Sequence, residues 1–206
     1  CKLRPDMEGM QVFMVSEPKK EDGRGVSVVD AATGKLIWSI GHTTYHVGDG
    51  MVTDFDPAHP GLECFASEDR TADGKKLQVA QDEIPGCRNW IWWDADLLRE
   101  TFKGDNNRWG AGSSSGGRSQ SIWKWKGEIL TENIKGDILL MADMEGDWRE
   151  ELITALPGEL RIYRTNIPAA DRRVTLMQDA LYRSYVAHRS MGYPQAPVPS
   201  YYLGDN

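Results

Sequence analysis

Apolar residues in this chain come in short bursts rather than at helical intervals. The runs are "MQVFMVSE", "GVSVVD", "KLIWSI", "GMVTDF", "LECFAS", "KLQVAQ", "RNWIWWD", "QSIWKWK", "GDILLMAD", "EELITAL" and "ELRIYRT". They favour Val, Ile, Trp and Tyr, and most are bounded by Gly, Asp, Asn or Pro, the pattern of strands separated by turns. "DAATGKLIW" predicts a hairpin turning at Thr33-Gly34. The best helical candidate is "DADLLRETF", residues 94–102, which also reads as a strand pair. The closing "SMGYPQAPVPSYYLGDN" is Pro-rich and is expected to be extended. Short strands with regular turn signals predict an all-β chain, as a sandwich, barrel or propeller.

A weak internal repeat selects the propeller. With "EGMQVFMVSE" set above "PGLECFASED", Gly9 stands over Gly61, Gln11 over Glu63 and Phe13 over Phe65, an offset of 52 residues. That is close to the roughly 40–50 residues of a four-stranded blade. "DFDPAHPGLECF" also echoes "DMEGDWREELI": an acidic pair, a turn, a Glu and a strand. At about 50 residues per blade, 206 residues correspond to about four blades, the first of them entered part-way.

Composition narrows the function. A net charge of −7 and no basic stripe argue against a nucleic-acid partner. The longest apolar run is far short of a membrane-spanning helix. Eight Trp and seven Tyr suit pleated surfaces as well as sugar stacking, and Trp90, Trp92, Trp93, Trp123 and Trp125 fit strand interiors better than sugar platforms. His42, His46, His59 and His188 form no constellation with Ser or Cys that would suggest nucleophilic catalysis. Cys1, Cys64 and Cys87 lack metal-ligand spacing; a Cys64–Cys87 disulfide and free buried thiols both remain open.

The chemistry-bearing stretch is "ILLMADMEGDWREELITA", residues 138–155. Calcium takes six to eight oxygens, and alternating acids on a tight Gly-containing loop can converge on one ion. Asp143, Glu145 and Asp147 occupy positions 1, 3 and 5 of such a loop, Gly146 sits at the bend, and Glu151 falls at position 9. Because they follow a strand, they predict a calcium-binding turn on a β scaffold rather than an EF-hand. A sparser version has Asp54 and Asp56 at positions 1 and 3 and Glu63 at 10. Both loops also read as solvated acidic turns, and any ion there would first staple strands together.

The segment "ADMEGDWREELITALPGELRIYRTNIPAADRRVTLMQDALYRSYVAHRSMGYPQAPVPSYYLG" closely resembles the C-terminal part of bacterial rhamnogalacturonan lyases of polysaccharide lyase family 11. "GRGVSVVDAATGKLIWS", "DFDPAHPGLE" and "IWWDADLLRE" resemble that family's repeats in the same order, so the likeness spans nearly the whole chain. The resemblance implies the C-terminal half of an eight-bladed, calcium-bearing β-propeller. The other half, preceding Cys1, would be a separate chain or an absent N-terminal part. It also implies a secreted protein, extracellular or periplasmic, that acts in pectin degradation on an acidic polysaccharide.

The reaction implied is β-elimination on a galacturonate. Its carboxylate must be neutralised by calcium or a cationic side chain before a base removes the C5 proton. By resemblance Lys135 in "ENIKGD" is the general base, eight residues before Asp143. The flanking residues depart from the family, with Asn133-Ile134 for Gly-Thr and Asp137 for Asn. Asp49 stands where many members carry Arg, and Ser190 where Asn is usual. Asn133, Asp49 and Ser190 are therefore expected to contact substrate, and Arg118 on the Ser/Gly-rich loop "WGAGSSSGGRSQ" is a further cation for an anionic polymer. The alternative function is a non-catalytic carbohydrate-binding or structural propeller.

Overall fold

The computed structural model describes residues 1–16, 25–40, 50–66, 70–78, 90–103, 119–169, 171–189, 191 and 195–204. The chain forms two compact units, Cys1–Gln81 with Ser200–Asn206, and Asp82–Pro199. Both are built from antiparallel sheets, so the all-β expectation holds. No helix among the described residues is long and apolar enough to cross a membrane.

In the first unit β1 (Gln11–Val15), β2 (Val26–Asp30) and β3 (Leu36–Ile40) form a meander. The expected hairpin joins β2 to β3: Asp30 Oδ1 accepts from the Thr33 N–H at 2.7 Å and its hydroxyl at 2.6 Å, while Gly34 takes φ +69°. Without a Cβ, glycine adopts this left-handed conformation at no steric cost. β4 (Met51–Thr53) pairs with β5 (Glu63–Phe65), and both strands are buried throughout. Trp38 of β3 donates from Nε1 to the Ala72 carbonyl at 3.0 Å and packs on the turn at Gly74, and Leu3, Val28 and Phe55 are among the buried residues of this unit. The C-terminal segment returns to this unit, where the Ser200 carbonyl accepts from the Lys2 N–H at 2.6 Å. Cys64 is a free, buried thiol; Cys87 lies outside the described residues.

The second unit holds a four-stranded sheet of β6 (Trp90–Ile91), β7 (Glu100–Lys103), β8 (Ser119–Trp123) and β9 (Ile129–Lys135), in chain order. A three-stranded sheet follows, made of β10 (Asp137–Ala142), β11 (Glu151–Leu156) and β12 (Glu159–Tyr163). Trp90 is buried in β6, as a strand interior requires, while Trp92 and Trp93 are buried just past the end of that strand, where the chain begins to turn. Residues 94–98 are a bent loop and Glu100 opens a strand, so "DADLLRETF" is neither a helix nor a strand pair but a loop leading into the single strand β7.

The helix lies elsewhere. A short 3-10 turn, Leu176–Gln178, leads into α1 (Ala180–Arg189). Asp179 Oδ1 accepts from the Tyr182 N–H at 2.8 Å, an N-terminal cap, and His188 and Arg189 stand in the last turn, where the helix dipole favours cations. Tyr182 and Arg189 are its buried residues, and Arg189 Nε donates to the Leu139 carbonyl of β10 at 2.8 Å.

Candidate functional site

One local construction recurs four times among the described residues. A strand ends, the chain turns, and a buried Glu or Gln opens the next strand. The side chain of that residue accepts the N–H groups of two consecutive residues at the start of the turn. Gln11 Oε1 accepts from Leu3 and Arg4, both at 3.0 Å. Glu63 Oε2 accepts from Phe55 at 3.0 Å and Asp56 at 3.4 Å. Glu100 Oε2 accepts from Trp93 at 2.7 Å and Asp94 at 3.2 Å, and Glu151 Oε2 from Met144 at 2.7 Å and Glu145 at 2.9 Å.

The register is the same each time. The acceptor pairs across the ladder with a residue two before the first donor: Thr53 with Glu63, Ile91 with Glu100, Ala142 with Glu151. Cys1 and Gln11 exchange both backbone hydrogen bonds, at 3.1 and 2.8 Å, in the same relation. The acceptors stand at 11, 63, 100 and 151, intervals of 52, 37 and 51 residues. A turn beside a buried strand end leaves N–H groups that the ladder cannot satisfy, and each orphan would cost about 1–3 kcal/mol. One buried carboxylate or carboxamide answers two of them.

The acids of the loop from 143 to 151 meet donors of the protein itself. Asp143 Oδ1 accepts from the Gly146 N–H at 2.8 Å. Its Oδ2 accepts from the Trp148 N–H at 3.2 Å, the Thr175 hydroxyl at 2.8 Å and the Leu176 N–H at 2.7 Å. Glu145 pairs with Arg164 at 2.8 Å and Asp147 with Arg149, while Glu151 serves the turn. Asp143, Glu145, Asp147 and Glu151 are thus spoken for one by one, and their oxygens do not gather as three ligands around one point. Neither do those of Asp54, Asp56 and Glu63. The acidic group that does gather, among the described residues, is Asp94, Asp96 and Glu100, with ligand oxygens all within 4.8 Å of one another.

The corners nevertheless differ electrostatically. Burial pushes Glu63 up to about 9, reinforced by the charge of Asp54, and Glu63 Oε1 is buried without a hydrogen-bond partner. Asp54 is itself buried and takes a hydrogen bond from the Tyr202 hydroxyl. At the third corner burial, with Asp94 behind it, pushes Glu100 up to about 8. There the Lys124 ammonium lies 2.6 Å from both Asp94 Oδ2 and Asp96 Oδ2.

Glu150, beside Glu151 in sequence, belongs to a different network. Its Oε2 accepts from the Trp92 N–H at 3.0 Å; its Oε1 accepts from the Tyr182 hydroxyl at 2.7 Å and lies 3.3 Å from Arg99 Nη2. Arg99 also donates to the Pro197 carbonyl and stacks 3.7 Å over the Trp92 ring. The Tyr182 oxygen accepts the Asp143 N–H at 3.0 Å. Arg99, Glu150 and Tyr182 are all buried, so this network ties α1 to the third and fourth corners.

Lys135, the base implied by resemblance, ends β9 with its side chain exposed. Its backbone is held by side chains from two strands, and that of the next residue from a third. Its N–H donates to the Tyr163 hydroxyl of β12 at 3.1 Å, and its carbonyl accepts from the Thr154 hydroxyl of β11 at 2.7 Å. Gln120 of β8 donates to the next carbonyl, that of Gly136, at 3.1 Å. Gly136 has φ +99°, and a Cβ there would stand 2.6 Å from the Ala155 carbonyl oxygen, so no other residue fits. Two residues before Lys135, Asn133 takes φ +62° where β9 carries one extra residue against β8, a bulge. Bulges re-aim side chains and concentrate near functional sites. Asp49, Arg118 and Ser190 lie outside the described residues.

Comparisons with known proteins place the chain in a family. The profile of the family described as rhamnogalacturonan lyase family 11, C-terminal domain, matches residues 1–206. The chain is 39% identical to the rhamnogalacturonan endolyase YesW of Bacillus subtilis (strain 168), over 98% of this chain and 32% of that protein. To the rhamnogalacturonan exolyase YesX of the same organism it is 33% identical, over 98% of this chain and 35% of YesX. The YesW crystal structure superposes with a TM-score of 0.77, covering all of this chain and 35% of that one. A Bacillus licheniformis rhamnogalacturonan lyase superposes with a TM-score of 0.72 at 35% identity, over 98% of this chain and 34% of that one. The chain thus spans about a third of the length of these relatives, and it belongs to the family of rhamnogalacturonan lyase family 11 C-terminal domains.

Proposed function

We propose that the protein carrying this chain is a rhamnogalacturonan lyase, and that the chain supplies the C-terminal blades of its β-propeller. The family match over the whole chain carries the reading, since the relatives bear that activity in their names. The propeller is supported by the four equivalent corners and by sheets whose strands follow chain order. The remaining blades come from a part of the protein outside this chain, or from a second chain. The polymer would be met outside the cytoplasm, in the extracellular or periplasmic space.

Cleavage is β-elimination. An amine lone pair takes the proton from C5 of galacturonate. The C5–H electrons form the C4–C5 double bond, and the C4–O4 bond breaks, with the oxygen leaving on rhamnose and taking a proton. Lys135 is the base. Its main chain is pinned by Tyr163 and Thr154, and that of the next residue by Gln120, while its side chain stays exposed to an incoming polymer. A solvated surface lysine needs no such support, whereas a base must be held in reach of its proton.

Calcium enters this proposal at the second corner. The oxygens of Asp54, Asp56 and Glu63 do not gather as they stand, so an ion held by these three would have to draw them together and displace the proton that burial keeps on Glu63; the unpartnered, buried Glu63 Oε1 beside Asp54 is the oxygen it would take. When bound, it supplies positive charge that fastens β4 to β5. Glu63→Gln keeps the acceptor for the turn, as Gln11 does, but removes the charge. The calcium-induced rise in melting temperature of the intact protein is expected to shrink in that variant, and a wild type indifferent to chelation would remove calcium from the proposal.

The activity is tested with the intact protein on rhamnogalacturonan, following ultraviolet absorbance of the unsaturated uronate end. Growth of that absorbance on rhamnogalacturonan, and not on homogalacturonan, is expected. Binding by calorimetry without any unsaturated product would point instead to a carbohydrate-binding propeller.

A further inference from the structure

The third corner departs from a calcium site in a way that the acid pattern alone conceals. Asp94, Asp96 and Glu100 bring three carboxylate oxygens within 4.8 Å, a spacing that suits a divalent ion. The centre of that charge is already served. Lys124 Nζ lies 2.6 Å from Asp94 Oδ2 and 2.6 Å from Asp96 Oδ2, so one ammonium bridges two of the three acids. The third, Glu100, spends Oε2 on the Trp93 and Asp94 N–H groups. Asp96 turns Oδ1 to the Leu98 N–H at 2.9 Å, and Asp94 turns its own to the Asp96 N–H at 2.9 Å. The acids are thus divided between backbone donors and one lysine.

We propose that Lys124 is the resident cation of this corner: a tethered ammonium that takes the position of a metal ion and makes the corner independent of divalent cations. Its placement is built into the fold. Lys124 directly follows β8, and the turn to β9 closes on it through Lys124 N–H to Glu128 O at 3.0 Å and Gly127 N–H to Lys124 O at 3.1 Å. From there the side chain reaches back to the loop between β6 and β7. A free ion would join only the acids of one loop; the lysine joins that loop to the β8–β9 hairpin. Partial burial lowers the basicity of Lys124, but the hydrogen bonds it donates to Asp94 and Asp96 outweigh it and leave the ammonium more firmly protonated than usual. A lysine ammonium offers three donors and one point charge, enough to neutralise two acids in part but too little to fill a calcium coordination shell.

The test counts ions and measures stability in the intact protein. Lys124→Met empties the corner of its cation, leaving three close carboxylates. Native mass spectrometry in calcium is expected to find one more bound calcium in Lys124→Met than in wild type. The extra ion should vanish in the double variant Asp94→Asn, Lys124→Met. The melting temperature of Lys124→Met should fall in chelator and recover in calcium, and a variant that folds only in calcium gives the same answer. Lys124→Arg, which keeps a cation, should show neither the extra ion nor the calcium-dependent recovery. Two results overturn the proposal: Asp94→Asn alone losing a calcium that wild type holds, or Lys124→Met gaining no ion and no calcium-dependent recovery.

Discussion

The corner acceptors give the sharpest prediction, because the fold contains its own control. Gln11 performs at the first corner the task that Glu63, Glu100 and Glu151 perform at the others. A carboxamide is therefore sufficient, and Glu100→Gln should keep both N–H bonds. Glu100→Ala strands the N–H groups of Trp93 and Asp94 in a buried turn. At about 1–3 kcal/mol for each orphan, the loss is about 2–6 kcal/mol. For a protein of this size that is a fall of roughly 5–20 °C in melting temperature.

Charge adds a second signature. Glu100 is pushed from 4.5 up to about 8 by burial and by Asp94, so the native state holds its proton more tightly than the unfolded chain does. Its contribution is fully present below the unfolded value and is lost as pH rises through the folded one. The loss is on the order of 4–5 kcal/mol across that window. Glu100→Gln has no proton to lose. Thermal unfolding at about pH 5 should place Glu100→Gln near wild type and Glu100→Ala far below. At about pH 9 Glu100→Gln should exceed wild type. If Glu100→Gln is as damaged as Glu100→Ala at the lower pH, or falls below wild type at the higher one, the amide-acceptor account is wrong.

Other changes test the supports around the corners. Tyr182→Phe removes the hydroxyl shared by Glu150 and the Asp143 N–H, and is expected to cost about 2–4 kcal/mol in thermal or denaturant unfolding. Arg99→Met leaves Glu150 buried without its charge partner and should cost about 3–5 kcal/mol, with more of the loss recovered at acid pH, where Glu150 is neutral. Gly136→Ala forces a Cβ against the Ala155 carbonyl at a left-handed φ and should lower the melting temperature by several degrees through a cost of at least about 1–2 kcal/mol.

Much of the β architecture was legible because turn residues and β-branched runs act locally. The Thr33-Gly34 hairpin depends on an Asp side chain three residues away and needs no distant partner. The equivalence of Gln11 with Glu63, and of the 54 and 143 loops, also showed in the sequence. Glu100 did not, because its corner lies 37 rather than about 50 residues on, and "DLLRETF" carries residues that also favour helices. Helix α1 was missed for the opposite reason: "ALYRSYVAHR" has a weak apolar face, and its anchoring comes from Tyr182 and Arg189, whose partners lie 32 and 50 residues away.

The carboxylates show a different limit. Alternating acids in "ADMEGDWREE" suit an ion, but spacing does not reveal which oxygens backbone N–H groups and arginines already occupy. The donors that the 3-10 turn brings to Asp143 come from 32 and 33 residues away. Likewise, nothing in "SIWKWKGE" announces that Lys124 reaches into the acids of another loop.

The central claim is that this chain brings the base to a polysaccharide lyase. The direct measurement is the rate of unsaturated uronate formation from rhamnogalacturonan by the intact protein, wild type against Lys135→Ala, with the melting temperatures of both. The account predicts a loss of about 100-fold or more in rate, the scale of a missing general base, with the melting temperature unchanged. An undiminished rate in the folded variant would contradict it.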